Sequence, residues 1–177
     1  YLTFDDGPTP GVTEEVLRIL KVYHAQATFF LIGKNALLYP DLTEKILNEG
    51  HSIGNHTHNH LNGWQNENKV YLENVTQAET ALPFTRLFRP AYGKRKRKQA
   101  HALIQKGYQI VMWDVLSGDF DPDLSTEKCL TKVMQHTSDG SIVVFHDSLK
   151  ARSIVLDVLP KVLENWTKAG FTFKALN

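Results

Sequence analysis

The sequence predicts an α/β protein, folded as a single domain on a mainly parallel sheet that is either open or closed into a barrel. Three observations predict it. Short β-rich runs alternate with longer segments of helical spacing along the whole chain, as repeated strand–helix units require. The run Ile142, Val143, Val144, Phe145 is apolar at every position, the pattern of a strand buried on both faces. The length, 177 residues, amounts to about one domain on a prior of ~100–200 residues each.

The elements can be taken in chain order. The first strand is expected at Tyr1 to Phe4, ending in the turn Asp6-Gly7-Pro8, and the second at Ala27 to Ile32. A third, His51 to Gly54, comes after Glu49-Gly50, and a fourth, Leu87 to Arg89, stops at Pro90 to Gly93. Gln109 to Trp113, Ser141 to Phe145 and Phe171 to Phe173 complete the set, each after a glycine turn: Lys106-Gly107, Asp139-Gly140 and Ala169-Gly170. Between the strands, Tyr71, Val75, Ala78 and Leu82, then Leu156, Leu159, Leu163 and Trp166, recur at helical spacing. No internal linker, repeat or low-complexity segment interrupts the pattern. Because the chain opens inside a strand, further residues are expected upstream of Tyr1.

Composition narrows the function. Hydrophobic residues at 42% and charged residues at 22% exclude a disordered, collagenous or disulfide-framework chain. Lysine plus arginine (20) balances aspartate plus glutamate (19), so no whole-domain field recruits nucleic acid, and no apolar run is long enough to span a membrane. Eight histidines stand against one cysteine, Cys129, which is expected to be a small buried apolar residue. Thiolate zinc sites are thereby excluded, whereas imidazole-and-carboxylate sites remain open.

In parallel α/β folds the active groups gather where strands end. Asp5 and Asp6 leave the first strand together, free to serve two tasks unless they merely bond the backbone of an Asx-turn. His56 and His60, four apart, can aim at one point and with a carboxylate hold a divalent ion that keeps a position open for water. The alternative is a polar surface turn; His58 is expected to point elsewhere and His51 to be a satisfied core histidine. Arg89 leaves a strand where it can pair with a carboxylate, and the proline turn after it can expose a backbone N–H to an oxyanion; an ordinary surface ion pair is the competing reading. The run Lys94-Arg95-Lys96-Arg97-Lys98 reads as a solvated helix start rather than a polyanion patch, and Trp64 as a residue packed into the barrel end, the competing reading being that it stacks on a sugar ring. Asp119 comes after another strand, and His146, ending the most buried strand, is a candidate general acid held by a carboxylate; the competing reading makes Asp147 a helix cap.

Taken together, Thr3-Phe4-Asp5-Asp6-Gly7-Pro8, His56-Thr57-His58-Asn59-His60, Arg89-Pro90-Ala91-Tyr92, Asp119-Phe120 and Val144-Phe145-His146 resemble the motifs of NodB-type polysaccharide deacetylases, carbohydrate esterase family four. The resemblance implies a distorted, incomplete (β/α) barrel over residues 1–177 and metal-dependent removal of N-acetyl groups from N-acetylglucosamine-containing glycans of chitooligosaccharide or peptidoglycan type. It implies that Asp5 is the general base, that Asp6, His56 and His60 are metal ligands, and that Arg89 orients the base. It further implies that the Tyr92 N–H faces the oxyanion, that His146 is the general acid with Asp119 as its partner, and that Phe120 and Val144 line an acetate pocket. The implied ion is zinc, although cobalt, nickel or manganese suits the same donors. A monomer acting on a glycan at the cell envelope or outside the cell is the expectation, the single cysteine fitting the cytoplasm equally. Three positions depart from the family pattern: Phe120 for a common tryptophan, Leu61 for a proline and Val144 for a leucine. None removes a group that the chemistry needs. The competing functions are a non-catalytic, metal-containing glycan-binding module and a metal-dependent phosphatase that grips phosphate with the basic run.

Overall fold

The computed structural model describes all 177 residues. Seven parallel strands form one curled sheet: β1 (Leu2–Asp5), β2 (Ala27–Leu31), β3 (Ser52–Asn55), β4 (Leu87–Phe88), β5 (Gln109–Ile110), β6 (Val115–Leu116) and β7 (Val143–His146). Their spatial order is β5-β4-β3-β2-β1-β7-β6, so the two short edge strands do not pair and the barrel is incomplete. Seven helices connect or flank them: α1 (Thr13–Val22), α2 (Gly33–Leu38), α3 (Pro40–Asn48), α4 (Asn68–Glu79), α5 (Arg97–Gln105), α6 (Thr126–His136) and α7 (Arg152–Lys168). None is long and apolar enough to cross a membrane.

Register already positions chemistry. Asp5 on β1 is the partner of His146 on β7, and Asn55 on β3 is the partner of Phe88 on β4. The carboxyl ends of parallel strands all emerge at one end of the sheet, which brings Asp6, His56 and Arg89 together from distant parts of the chain.

The core is a layer of strand side chains under amphipathic helices. Phe4 stacks on Phe29 at 5.0 Å and on Phe145 at 6.1 Å between centroids. Each ring is fully buried, worth about 2 kcal/mol over exposure. Helix α7 adds Val155, Val158, Leu159, Val162 and Leu163, and α1 adds Val16, Leu17 and Leu20. Cys129 is buried as expected, and burial pushes its thiol up to about 12.

Two strand expectations need correction, and one further strand is present. The fifth strand stops at Ile110, because Val111 to Asp114 carry the chain straight from one sheet edge to the other, and Arg89 bonds the carbonyls of Val111 and Met112. Val115–Leu116 forms a strand that the sequence pattern did not announce, too short to show periodicity. Phe171 to Phe173 is not a strand. Its alternate phenylalanines instead pack on Trp166, at 6.2 and 6.3 Å, while Gln26 N–H donates to Phe173 O at 3.3 Å.

Candidate active site and metal centre

Arg89 is the largest fully buried side chain, and its charge is answered on every side. Its Nη1 donates to Asp5 Oδ1 at 2.8 Å and to Thr3 Oγ1 at 2.7 Å. Nε and Nη2 donate to Val111 O and Met112 O, and the guanidinium lies 4.0 Å above the Phe30 ring. This is a buried ion pair with its remaining donors satisfied, not the surface pair that the short motif allowed. Asp5 is thereby fixed through Oδ1, and its Oδ2 faces His56 Nε2 at 3.9 Å.

Asp6, His56 and His60 converge as the spacing suggested, with one ligand atom of each within 4.8 Å of the others. Asp6 Oδ1 lies 3.0 Å from His60 Nε2 and 3.6 Å from His56 Nε2, yet it is buried with no aligned hydrogen-bond donor. A buried acceptor facing two imidazole nitrogens fits a cation, which all three can ligate at once. His56 Nδ1 bonds Arg89 O at 2.8 Å, which assigns its proton to that nitrogen and leaves the Nε2 lone pair for a metal. Burial lowers the His56 pKa, keeping the neutral form a ligand must have. For Asp6, burial opposes ionisation, but the nearness of His60 and His56 outweighs it and holds the carboxyl well below its ordinary value.

The backbone around the cluster is strained in a consistent way. Asp6 (φ 80°), Thr57 (φ 67°), His60 (φ 55°) and Tyr92 (φ 59°) all occupy the left-handed region. The first turn is held by Ile32 N–H to Gly7 O and by Asn35 Nδ2 to Asp6 O, so neither carboxylate is used for an Asx-turn. Any Cβ on Gly7 would collide with the buried Asp147 carboxylate, which is why glycine stands there. The histidine loop is fastened by Asn55 Oδ1 to Thr57 N–H and by Asn74 Oδ1 to the N–H groups of His58 and Asn59. Leu61 N–H donates to Thr57 Oγ1 at 3.0 Å, a bond that proline could not make, so the departure at this position brings its own restraint. His58 is not among the converging ligands, its Nδ1 lying beside Gly33, and His51 accepts from Ala27 N–H inside the core, both as expected.

His146 is gripped by Asp119 through both carboxylate oxygens: Nδ1 to Oδ1 and the backbone N–H to Oδ2, each at 2.8 Å. Burial lowers the imidazole pKa, but the Asp119 bond and charge, then Asp5 and Asp6, overcome this and raise it to about 9. Ser117, fully buried, donates to Asp119 Oδ1 at 2.8 Å and orients that carboxylate. Asp147 is not a helix cap. Its Oδ2 accepts from Thr13 Oγ1 at 2.6 Å, its Oδ1 is buried without a partner, and burial raises its pKa to about 7.

A cleft of about 810 Å³ joins these groups, lined by Asp5, Asp6, His56, His60, Tyr92 and His146 with Phe120, Val144, Trp113 and Leu116 as apolar wall. Phe120 meets the His146 ring edge-on at 4.8 Å, and Tyr92 lies 4.5 Å from His60. In the turn at Tyr92 the bonding donors are Gly93 and Lys94, so the Tyr92 N–H has no backbone acceptor there.

The structure overturns one sequence expectation and narrows another. Trp64 is not packed into the barrel end but 62% exposed, and the solvated helix start takes in only the last part of the basic run, with Lys96 as N-cap and exposed Arg97 and Lys98 in the first turn. Lys96 Nζ anchors Asn66 O at 2.7 Å. Sequence reasoning assigned no role to Thr3, Ser117, Asn55 or Asn74. Thr3 carried a usable signal, a polar residue two positions from Asp5 on the same strand face.

Residues 1–111 match the family described as polysaccharide deacetylase. A peptidoglycan-N-acetylglucosamine deacetylase of Bacillus cereus is 34% identical over 97% of this chain and 83% of its own length. A chitooligosaccharide deacetylase of Azorhizobium caulinodans is 33% identical over 83% of this chain and 72% of its own. The crystal structure of a peptidoglycan N-acetylglucosamine deacetylase superposes with a TM-score of 0.93 at 30% identity, over 99% of this chain and 84% of that one. The matched family, the curled parallel sheet and the convergence of the five motifs at one sheet end agree: the chain belongs to the polysaccharide deacetylase family.

Proposed function

We propose that this deacetylase removes N-acetyl groups from N-acetylglucosamine-containing glycans of peptidoglycan or chitooligosaccharide type, residues 1–177 acting as one NodB-type domain, monomeric and at the cell envelope. The observation that carries the reading is the pairing of Asp5 with His146 in register on neighbouring strands, beside a three-ligand cluster. Asp6, His56 and His60 would hold a divalent ion, zinc before cobalt, nickel or manganese. When bound, that ion polarises the amide carbonyl and lowers the pKa of the attacking water.

The remaining steps belong to the protein. Arg89 occupies Asp5 Oδ1, so Oδ2 is the oxygen that receives the proton of the attacking water. The Tyr92 N–H meets the developing oxyanion. An amine leaves badly as an anion, so a proton must reach the nitrogen as the tetrahedral intermediate collapses. Asp119 holds His146 Nδ1, which turns the protonated Nε2 toward that nitrogen. Phe120 and Val144 enclose the acetyl methyl, valine leaving slightly more room than leucine.

Acetate release from N-acetylglucosamine oligomers and peptidoglycan fragments by the zinc-loaded protein tests this. Release that disappears with H146A and with chelation is expected. No acetate from any acetylated glycan, with metal bound, refutes deacetylation, and sugar binding without release identifies a binding module instead.

A further inference from the structure

Trp64 is displayed on a loop that has little freedom to move. Its Nε1–H donates to Arg95 O at 3.1 Å and its backbone N–H to Asn62 Oδ1 at 3.0 Å. Gly63 N–H donates to Lys94 O at 3.0 Å, and Gln99, fully buried, returns a bond from Nε2 to Gly63 O at 2.9 Å. The two segments approach so closely that a Cβ on Gly63 would lie 2.6 Å from Lys94 O. An indole pinned by its edge and left open to water forgoes the burial free energy that a tryptophan normally contributes. Such rigid exposed aromatic surface is the form of a recognition anchor, which loses little entropy on binding.

Lys94 connects this anchor to the site. Its Nζ lies 5.3 Å from the Trp64 ring centroid, and the same residue lines the catalytic cleft next to Tyr92 and His60. The lysine ion pairs of the protein involve Lys69, Lys161 and Lys168, so the Lys94 charge on the cleft wall has no carboxylate partner. His60, Tyr92, Lys94 and Trp64 therefore form one continuous surface leading outward from the metal-ligating cluster.

Building on the glycan deacetylation proposed above, we infer that Trp64 and Lys94 form a distal subsite for a neighbouring pyranose that bears a carboxylate. The apolar C–H face of the sugar packs on the indole, and the ammonium pairs with the carboxylate in a charge-assisted bond. This subsite favours carboxylate-bearing glycans, as in peptidoglycan, over neutral chitooligosaccharides.

The test compares the zinc-loaded parent with W64A, W64F and K94Q on two tetrasaccharides, neutral N-acetylglucosamine tetramer and a peptidoglycan fragment carrying lactyl carboxylates. W64A raises KM about tenfold on both, the change falling on KM rather than kcat, and W64F recovers much of it. K94Q raises KM for the carboxylated glycan at least about fivefold more than for the neutral one, and added salt narrows the gap. KM values within about twofold of the parent for W64A overturn the subsite, and equal effects of K94Q on the two glycans overturn carboxylate recognition. Calorimetric titration of the same glycans into the same proteins reads the subsite independently of turnover. Absent acetate release by the parent then refutes the function, whereas unchanged binding by W64A refutes the subsite alone.

Discussion

Replacing Asp119 by Asn conserves the size of the side chain but removes the charge that holds His146 protonated. Three donors converge on the Asp119 carboxylate: His146 Nδ1, the His146 backbone N–H and Ser117 Oγ. An amide offers one acceptor oxygen and forces its NH₂ toward one of these donors, so His146 Nδ1 gives up its proton and the ring reverts at least to an ordinary histidine pKa. With the parent value at about 9, about three-quarters of His146 is protonated at pH 8.5. At ~6.5 only about 1% is, whereas at pH 6 both forms are mostly protonated. A general acid loses function as pH rises through its pKa, so the alkaline limb of kcat/KM moves down by about 2 units or more in the variant. The parent-to-variant ratio of kcat/KM accordingly grows about 50-fold between pH 6 and pH 8.5, on top of any pH-independent loss. Initial rates of acetate release across that range, with metal saturating, measure it. A ratio that stays constant from pH 6 to 8.5 refutes the assignment of Asp119 as the group that keeps His146 protonated.

Other substitutions address separate parts of the site. D6N and H60A each remove one of three converging ligands, and zinc bound per chain after dialysis falls from one toward zero; full retention by both argues against the cluster as the metal centre. R89L strands the buried Asp5 carboxylate, and urea unfolding should show a loss of about 3–5 kcal/mol, with a loss below about 1 kcal/mol inconsistent with the pairing described. G7A drives a methyl into Asp147 and costs about 1–3 kcal/mol by the same assay. D147A in the same chain relieves part of that cost, so strictly additive losses in G7A/D147A refute the steric account.

Much of the candidate site was legible because the chemistry sits at strand ends. Asp5, Asp6, Arg89 and His146 come after apolar residues visible in the amino-acid order, His56 and His60 stand out by their spacing after a glycine turn and a short strand, and a parallel sheet collects such positions at one end. What the pattern could not show is which of several polar neighbours completes each pair. Ser117 and Asn74 look like ordinary loop and helix residues until the folded chain brings Asp119 and the histidine loop to them. Short elements were also beyond reach: Val115–Leu116 has no periodicity to detect, and it forms because Val143 and Val144 pair with it.

The sequence by itself determined the fold class, the order of the main elements and the identity of the reactive groups, since these depend on local periodicity and residue type. Tertiary structure alone decided the rest. It placed Asp5 opposite His146, buried Arg89 against four oxygen acceptors, raised His146 by contact with Asp119 and left Trp64 in water. The physical reason is that burial, proton affinity and pairing arise from through-space neighbours, and those neighbours are set by strand register and loop packing between residues far apart in the chain.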